Sequence, residues 1–303
     1  MSGRLTNQEK KNRIEQFLRN KPGYLKKSKD YLSKKFKVTP TLIKEVIANI
    51  KPTLDNLPYK RLFFDIETSP NVVLSWNVGN KINLSYDNII QERAVICICY
   101  KWAHEDTVHH LSWNKGDDKE MLIKFIKIMN EANQIVAHNG DNYDVKWLRS
   151  RCVFHNIPMM PNYDTIDTLK LSRTGFRFNS NRLDYIGKYL GLKGKTETGY
   201  DLWKDIVLND CKVSMIKMIT YCKRDVELLE KVYNKLNPYT KHKVHFGVAA
   251  GNGRISCPEC TSINLRRDGL RYSAAGTVSQ KIQCNDCHKY FTVPLSLYNK
   301  SLK

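Results

Sequence analysis

Apolar residues recur at helical spacing near the start of the chain. Three such sets predict short helices over residues 7–19, 30–36 and 41–50. Thr39 followed by Pro40 is typical of an N-cap and the first helical position, so the third helix is expected to begin there. The first 50 residues therefore predict a small helical unit.

The pattern changes from residue 61 onward. Alternating or continuous apolar runs predict strands over residues 62–67, 94–102, 107–113 and 134–137. Helical periodicity predicts helices over residues 117–130, 143–153, 182–190 and 212–236. Three early strands followed by alternating helices and strands indicate an α/β fold, in which helices flank a sheet of mixed direction.

Charge is distributed unevenly along the 303 residues, whose formal net charge is +20. Residues 1–60 have a net charge of +10, residues 61–236 of +3 and residues 237–303 of +7. Basic ends around a nearly balanced centre favour a polyanionic partner such as nucleic acid, although basic termini that only aid solubility are the alternative.

Carboxylates gather in the near-neutral centre. Asp65 and Glu67 are two residues apart on a predicted strand, so period-two alternation directs both to one face. Asp144 opens a predicted helix, and Asp225 follows Tyr221 by one helical turn. Apolar neighbours make unpaired carboxylates costly, and hard oxygen ligands suit Mg²⁺ or Mn²⁺.

These motifs resemble those of a known nuclease family. The segments FDIET, HN-x3-YD and Y-x3-D are similar, in the same order, to the three motifs of DnaQ-like 3′–5′ exonucleases in the ribonuclease H-like superfamily. The similarity covers about residues 60–236 and includes stretches found in proofreading domains of family-B polymerases. Tyr221, four residues before Asp225, resembles the tyrosine (DEDDy) subclass, whereas the histidine subclass would have histidine where this chain has Thr220.

The resemblance implies a role for each matching residue. Asp65, Glu67 and Asp225 would hold two Mg²⁺ or Mn²⁺ ions with the help of phosphate and water, and Asp65 would bridge them. Asp144 would support this centre, and Tyr221 would orient the attacking water rather than deprotonate it, because a tyrosine has a pKa of about 10. Asn139 and Thr68 are the implied substrate-binding residues, Asn139 either contacting the terminal nucleotide or bracing its loop.

Nine cysteines without a secretory signal indicate reduced thiols or metal ligands, hence a reducing intracellular compartment. Four of them form two C-x2-C pairs separated by 23 residues: Cys257, Cys260, Cys284 and Cys287. This spacing suits one structural Zn²⁺ and resembles a zinc ribbon. Cys97 and Cys99 are expected in the core, and Cys222 has no paired spacing.

These observations predict three domains joined by a linker. Residues 1–58 form a helical unit that resembles a helix-turn-helix, with Leu32, Val38 and Ile43 as its packing positions. The remaining boundaries are residues 59–238 for the ribonuclease H-like domain, 239–254 for a Gly-rich linker and 255–303 for the zinc ribbon.

The sequence thus predicts a metal-dependent 3′–5′ exonuclease that releases nucleoside 5′-monophosphates from DNA. The alternatives are an exoribonuclease, a recruitment protein with an inactive core, and a DDE transposase. The transposase is disfavoured by the Asp-x-Glu spacing of Asp65 and Glu67 and by Tyr221. Nucleic acid is the expected partner, with a replication or repair protein as a further one. The sequence lacks an apolar run that could span a membrane or serve as a signal, and its composition excludes a disordered chain.

Overall fold

A computed structural model of the chain describes residues 7–20, 24, 28–55, 60–79, 81–192, 199–241 and 243–301. The chain divides into two compact units. One is Lys60–Leu236, and the other combines Met1–Tyr59 with Asn237–Lys303. The predicted boundary between residues 58 and 59 lies outside the described residues. Across the described part of the chain, no helix combines the length and apolar character needed to cross a bilayer.

Three helices form the N-terminal part of the second unit: α1 (Asn7–Asn20), α2 (Lys29–Phe36) and α3 (Pro40–Asp55). Leu32 and Ile43 are buried and Val38 packs against them, as predicted. The Thr39 hydroxyl accepts the N–H of Leu42, which confirms the expected cap of α3.

The first unit is built on a five-stranded sheet of order β5-β4-β1-β6-β7. These strands are β1 (Arg61–Thr68), β4 (Val95–Trp102), β5 (His109–Ser112), β6 (Gln134–Ala137) and β7 (Thr165–Asp167). β1 pairs antiparallel with β4 and parallel with β6, and β6 pairs parallel with β7. The predicted mixed sheet is therefore confirmed.

Helices cover both faces of this sheet. They are α4 (Lys119–Glu131), α5 (Asp144–Phe154), α6 (Thr168–Gly175), α7 (Leu183–Tyr189), α8 (Asp201–Asn209) and α9 (Lys212–Leu236). The strand alternation of β1 decides which residues meet which helix. Phe63 packs edge-on against Tyr233 of α9, with ring centroids 5.6 Å apart, whereas Phe64 packs against Phe125 of α4.

Several features of the first unit have no counterpart in the predicted elements. They include helices α6 and α8 and the short strand β7. They also include a small antiparallel pair of strands, β2 (Val72–Val73) and β3 (Ile89–Gln91), which encloses a long loop after β1.

The C-terminal part of the second unit is a three-stranded sheet of order β10-β9-β8. Its elements are β8 (Leu265–Tyr272), β9 (Val278–Cys284), β10 (Tyr290–Pro294) and helix α11 (Leu295–Lys300). Part of the predicted linker is folded. Helix α10 (Phe246–Ala249) buries Phe246. A Cβ on Gly247 would lie only 1.8 Å from Ser256 Oγ, so this segment packs closely against the predicted zinc ribbon (residues 255–303, hereafter the ribbon).

Candidate active site

The carboxyl half of β1 carries the first two predicted acidic residues. Asp65 and Glu67 share the strand face of Phe63, which is the face covered by α9. Ile66 and Thr68, which alternate with them, are buried. The strand thus presents two half-buried carboxylates toward α9, as the sequence predicts.

Helix α9 supplies the third carboxylate from its buried face. Asp225 belongs to the stripe of α9 residues that packs across β1 and β4, and it is 5 % exposed. One carboxylate oxygen from each of Asp65, Glu67 and Asp225 lies within 4.8 Å of the others. Strand β1 and helix α9 therefore bring the predicted metal ligands together, although Asp225 follows Glu67 by 158 residues in sequence.

Cys222 fixes the helix against the strand at this level. Its Sγ lies 3.5 Å from the carbonyl oxygen of Asp65 and 3.6 Å from Asp65 Oδ2, and both oxygens accept from the thiol. Burial raises the pKa of Cys222 well above its ordinary value, so the group stays a donor. The contact was not predicted, because Cys222 has no paired cysteine spacing. Its position one turn before Asp225 and next to Tyr221 is the signal that could have indicated it.

Asp144 lies beside this cluster rather than within it. It begins α5, is 2 % exposed, and its Oδ1 accepts the N–H of Ile66 at 3.2 Å. The pairing of β1 with β6 ends at Phe63, so the Ile66 N–H lies beyond the last paired residue. The Asp144 carboxylate accepts this N–H in place of a strand carbonyl. Burial, together with the nearby carboxylate of Asp167, raises the pKa of Asp144 to about 7.

The loop after β6 is shaped by close backbone contacts. Asn139 has a left-handed φ of 65° and donates its N–H to Asp167 Oδ1 at 2.9 Å. The next residue must be small, because a Cβ on Gly140 would lie 2.4 Å from the Cβ of Ala137. Asp167 also caps α6, and its Oδ2 is buried without a hydrogen-bond partner among the described residues. Asp167 is thus a buried acid near the site that lies outside the three sequence motifs.

Tyr221 and Thr68 have different surroundings. Tyr221 is half-buried and lines a cleft of about 490 Å³ with Lys217 and Arg224, which lie on the same helix. Thr68 is 6 % exposed, and its hydroxyl lies 2.7 Å from Tyr143 Oη. Trp203 Nε1 donates to the Thr68 carbonyl at 3.2 Å, so this predicted substrate-binding residue also ties α8 to β1.

The acidic cluster has the chemistry of a divalent-cation site. Three carboxylates with converging oxygens are the ligand type that Mg²⁺ and Mn²⁺ prefer. A second acidic group, formed by Asp117, Asp118 and His155, is different. Both Asp118 oxygens accept hydrogen bonds from Arg151 at 2.8 Å, and His155 Nε2 lies 2.6 Å from Asp118 Oδ1. The Arg151 guanidinium therefore lies where a metal ion would have to bind and neutralises the Asp118 carboxylate.

The four predicted zinc-ligand thiols also converge. All four Sγ atoms lie within 4.8 Å of one another, and the Cys257–Cys287 and Cys260–Cys284 separations are both 3.5 Å. These separations are far longer than a disulfide bond and approach the sulfur–sulfur edge of about 3.8 Å expected for a tetrahedral site with Zn–S bonds of about 2.3 Å. Thr261 and His288, which follow the two pairs, both have left-handed φ, so the two turns have similar geometry. The cluster could hold one metal ion.

Comparison with known proteins finds similarity between part of this chain and DNA polymerases. The chain is 30% identical over 158 residues to "DNA polymerase III PolC-type" of Ureaplasma parvum, a match that covers 47% of this chain and 10% of that protein. It is 27% identical over 130 residues to "DNA polymerase" of Thermococcus hydrothermalis, covering 39% of this chain and 7% of that protein. The chain thus corresponds to a small fraction of each polymerase. The family B DNA polymerase of Pyrobaculum calidifontis aligns with a TM-score of 0.48 at 14% identity, over 72% of this chain and 31% of that one.

A family model gives the broader assignment. The model of the RNase H superfamily matches residues 62–237, which is more than half of the chain and includes every strand of the five-stranded sheet except the first residue of β1. The chain therefore belongs to the RNase H superfamily.

Proposed function

We propose that this protein is a metal-dependent 3′–5′ exonuclease that acts on DNA. The observation that carries the proposal is the convergence of Asp65, Glu67 and Asp225 within 4.8 Å on a buried strand and helix. The similarity to DNA polymerases supports DNA as the substrate, and the basic ends of the chain are consistent with a polyanion.

Each residue has a role in this proposal. Asp65, Glu67 and Asp225 would hold two Mg²⁺ or Mn²⁺ ions, which supply positive charge at the scissile phosphate. Tyr221 would orient the attacking water from the turn of α9 that precedes Asp225. Asp144 would keep β1 in position through the Ile66 N–H, and Asn139 and Thr68 would contact the substrate or brace the loops beside it.

The C-terminal thiols have a separate role. Cys257, Cys260, Cys284 and Cys287 would bind one structural Zn²⁺ that holds the ribbon together, since its own core contains few buried residues. The helices α2 and α3 would act as a helix-turn-helix that contacts nucleic acid. A replication or repair protein would be a further partner.

A strand-polarity assay tests the proposed function. Single-stranded DNA labelled at its 5′ end should shorten stepwise from the 3′ end in Mg²⁺ or Mn²⁺ and release nucleoside 5′-monophosphates. Asp65→Ala should abolish the shortening, whereas Asp87→Ala, which removes an exposed carboxylate of the same unit, should not. Shortening from the 5′ end, or full activity of Asp65→Ala, would refute the proposal. A matched RNA strand, if degraded faster, would identify an exoribonuclease instead.

A further inference from the structure

The ribbon sheet of β8, β9 and β10 has one packed face and one face open to solvent. Gln280, Ile282 and Cys284 alternate along β9 and are all buried, so they define the packed face. The intervening residues Ser279, Lys281 and Gln283 therefore point to the open face. The strand register then identifies their neighbours on β8.

Three cations share this open face. Arg266 pairs with Gln283 and Arg271 pairs with Ser279, so both arginines point to the same side as Lys281. A bulge between Arg267 and Leu270 keeps this alternation in register with β9. Lys281 extends across Gly269, where a Cβ would lie 4.0 Å from its Nζ, so the glycine leaves room for the lysine between the two arginines.

The three cations of this face have no ion-pair partner within the part of the chain that the structure describes. Among the described residues, no acidic group lies within ion-pair distance of Arg266, Arg271 or Lys281. Like charges on one sheet face are unfavourable for folding. Asp268 is exposed and lies in the bulge opposite Lys281, two residues after Arg266, so it offsets part of this charge without pairing with any of the three cations. The inner-face Arg267 differs, because its guanidinium lies over the Tyr298 ring of α11, with Cζ 5.7 Å from the ring centroid.

The spacing of the cations suits an extended polyanion. The residues that pair with Arg266 and Arg271 are four positions apart on β9, a distance of about 14 Å along a strand. In an extended single strand, consecutive phosphates are about twice as far apart as the 3.4 Å rise of a duplex strand, so a row of this length would meet about three phosphates. Tyr290, which is 48% exposed and pairs with Gln283 on the same row as Arg266, adds a surface on which a base can stack.

We infer that the open face of the ribbon, formed by Arg266, Lys281, Arg271 and Tyr290, binds the phosphodiester backbone of the nucleic-acid strand. The inference rests on the proposed function for the identity of the polyanion. It assigns the ribbon a direct role in holding substrate, in addition to the fold that the thiol cluster maintains.

Salt-dependent binding of the full-length protein tests this inference. The triple variant Arg266→Gln, Lys281→Gln and Arg271→Gln is compared with wild type by fluorescence anisotropy of a labelled single-stranded DNA, from 50 to 400 mM KCl. Ca²⁺ replaces Mg²⁺ to prevent cleavage. If all three cations contact phosphates, the slope of log K against log salt should become shallower by about 2. One bound Zn²⁺ per chain in the variant verifies that the ribbon is folded.

A matched variant controls for net charge. Lys119→Gln, Lys124→Gln and Lys127→Gln remove three exposed cations from α4 and should leave the slope unchanged. A folded ribbon variant with wild-type slope and affinity would overturn the inference. The inference would also be overturned if the ribbon variant bound DNA like wild type but no longer bound a polyglutamate peptide that wild type binds. That result would show that the face binds an acidic protein.

A small substrate separates this inference from the proposed function. Hydrolysis of the p-nitrophenyl ester of thymidine 5′-monophosphate needs the acidic cluster but offers a single phosphate. The ribbon variant should hydrolyse it at the wild-type rate. A wild-type protein that fails to hydrolyse either this ester or DNA would refute the nuclease, whereas a shallower salt slope in the ribbon variant would still support the binding face.

Discussion

Asp144 couples the stability of the candidate active site to pH. Its pKa of about 7 in the folded protein exceeds the value of about 3.9 in an unfolded chain, so the folded state holds the proton more tightly. The stabilisation is complete at low pH and is lost as pH rises from about 4 to about 7. Asp144 is therefore expected to favour bound cations, which offset the cost of burying its charge near Asp167.

The first prediction follows from this linkage. In protein free of Mg²⁺ and Mn²⁺, urea unfolding should show that wild type loses roughly 2–4 kcal/mol more stability than Asp144→Asn between pH 4.5 and pH 8. The asparagine variant lacks the titrating group, so its profile serves as the reference. Parallel pH profiles for the two proteins would show that Asp144 is not protonated in the folded state.

Cys222 positions Asp65 through a weak donor. Cys222→Ala should raise the Mn²⁺ concentration for half-maximal activity by about 3–10-fold, which corresponds to one lost hydrogen bond. Cys222→Ser retains a donor and should restore most of the difference. Cys152→Ala, which removes a buried thiol from α5, is the control for a general loss of packing. Equal effects of Ala and Ser at position 222 would contradict the positioning role.

At the scale of elements, Asp118 joins the start of α4 to β4 and α5. Although burial opposes ionisation, hydrogen bonds from Arg151, the Val95 N–H and His155 lower the pKa of Asp118. Asp118→Ala would leave the half-buried Arg151 guanidinium without its carboxylate partner. The free energy of unfolding should fall by about 3–5 kcal/mol in urea, whereas Glu120→Ala, an exposed carboxylate on the same helix, should change it by less than about 0.5 kcal/mol. A small effect of Asp118→Ala would indicate that Arg151 finds another partner.

The elements differ in how far the sequence determines them. The prediction for α9 matches its bounds at both ends, and β6 does likewise, because long periodicity and a short apolar run are clear signals. Helix α8 was missed although Leu202, Trp203 and Ile206 have helical spacing. The Asp118–Arg151 pair could not be predicted, since it joins residues 33 positions apart through tertiary packing alone.

The candidate site also combines features that local sequence patterns predict with features that depend on tertiary packing. The alternation of β1 is enough to predict that Asp65 and Glu67 share a face. The resemblance of Y-x3-D to the third nuclease motif predicts that Asp225 joins them. The contacts of Cys222 and Asp167 depend on how α9 and the β6 loop lie against β1, which no local pattern encodes. The sequence thus predicts which carboxylates converge, whereas the supporting contacts require the structure.

At the scale of the whole molecule, metal should stabilise one part of the chain selectively. Wild type should contain one Zn²⁺, and Cys257→Ser should lose it together with the protease resistance of residues 243–301. Lys60–Leu236 has its own core and should keep its thermal transition. Cys211→Ser removes a thiol outside the cluster and should retain the zinc. A ribbon that stays protease-resistant without zinc would contradict a structural metal site.

The net charge of +20 is distributed unevenly between the centre of the chain and its two ends. The near-neutral centre contains the carboxylates proposed to bind metal, whereas the ends hold most of the excess positive charge. The open face of the ribbon accounts for three of those cations, and the exposed Lys44 of α3 belongs to the N-terminal excess. Substrate binding and hydrolysis are thus expected to respond to different substitutions.

The central claim is that Asp65, Glu67 and Asp225 bind the cations that drive hydrolysis at a DNA 3′ end. The most direct measurement is the rate of 3′-terminal nucleotide release as a function of Mn²⁺ concentration for wild type, Asp225→Asn and Glu227→Gln. Glu227 is an exposed carboxylate two residues further along α9. We predict Mn²⁺-dependent release by wild type and Glu227→Gln, and a loss of about 10³-fold or more in Asp225→Asn. Release by Asp225→Asn at the wild-type rate and Mn²⁺ dependence would contradict the account.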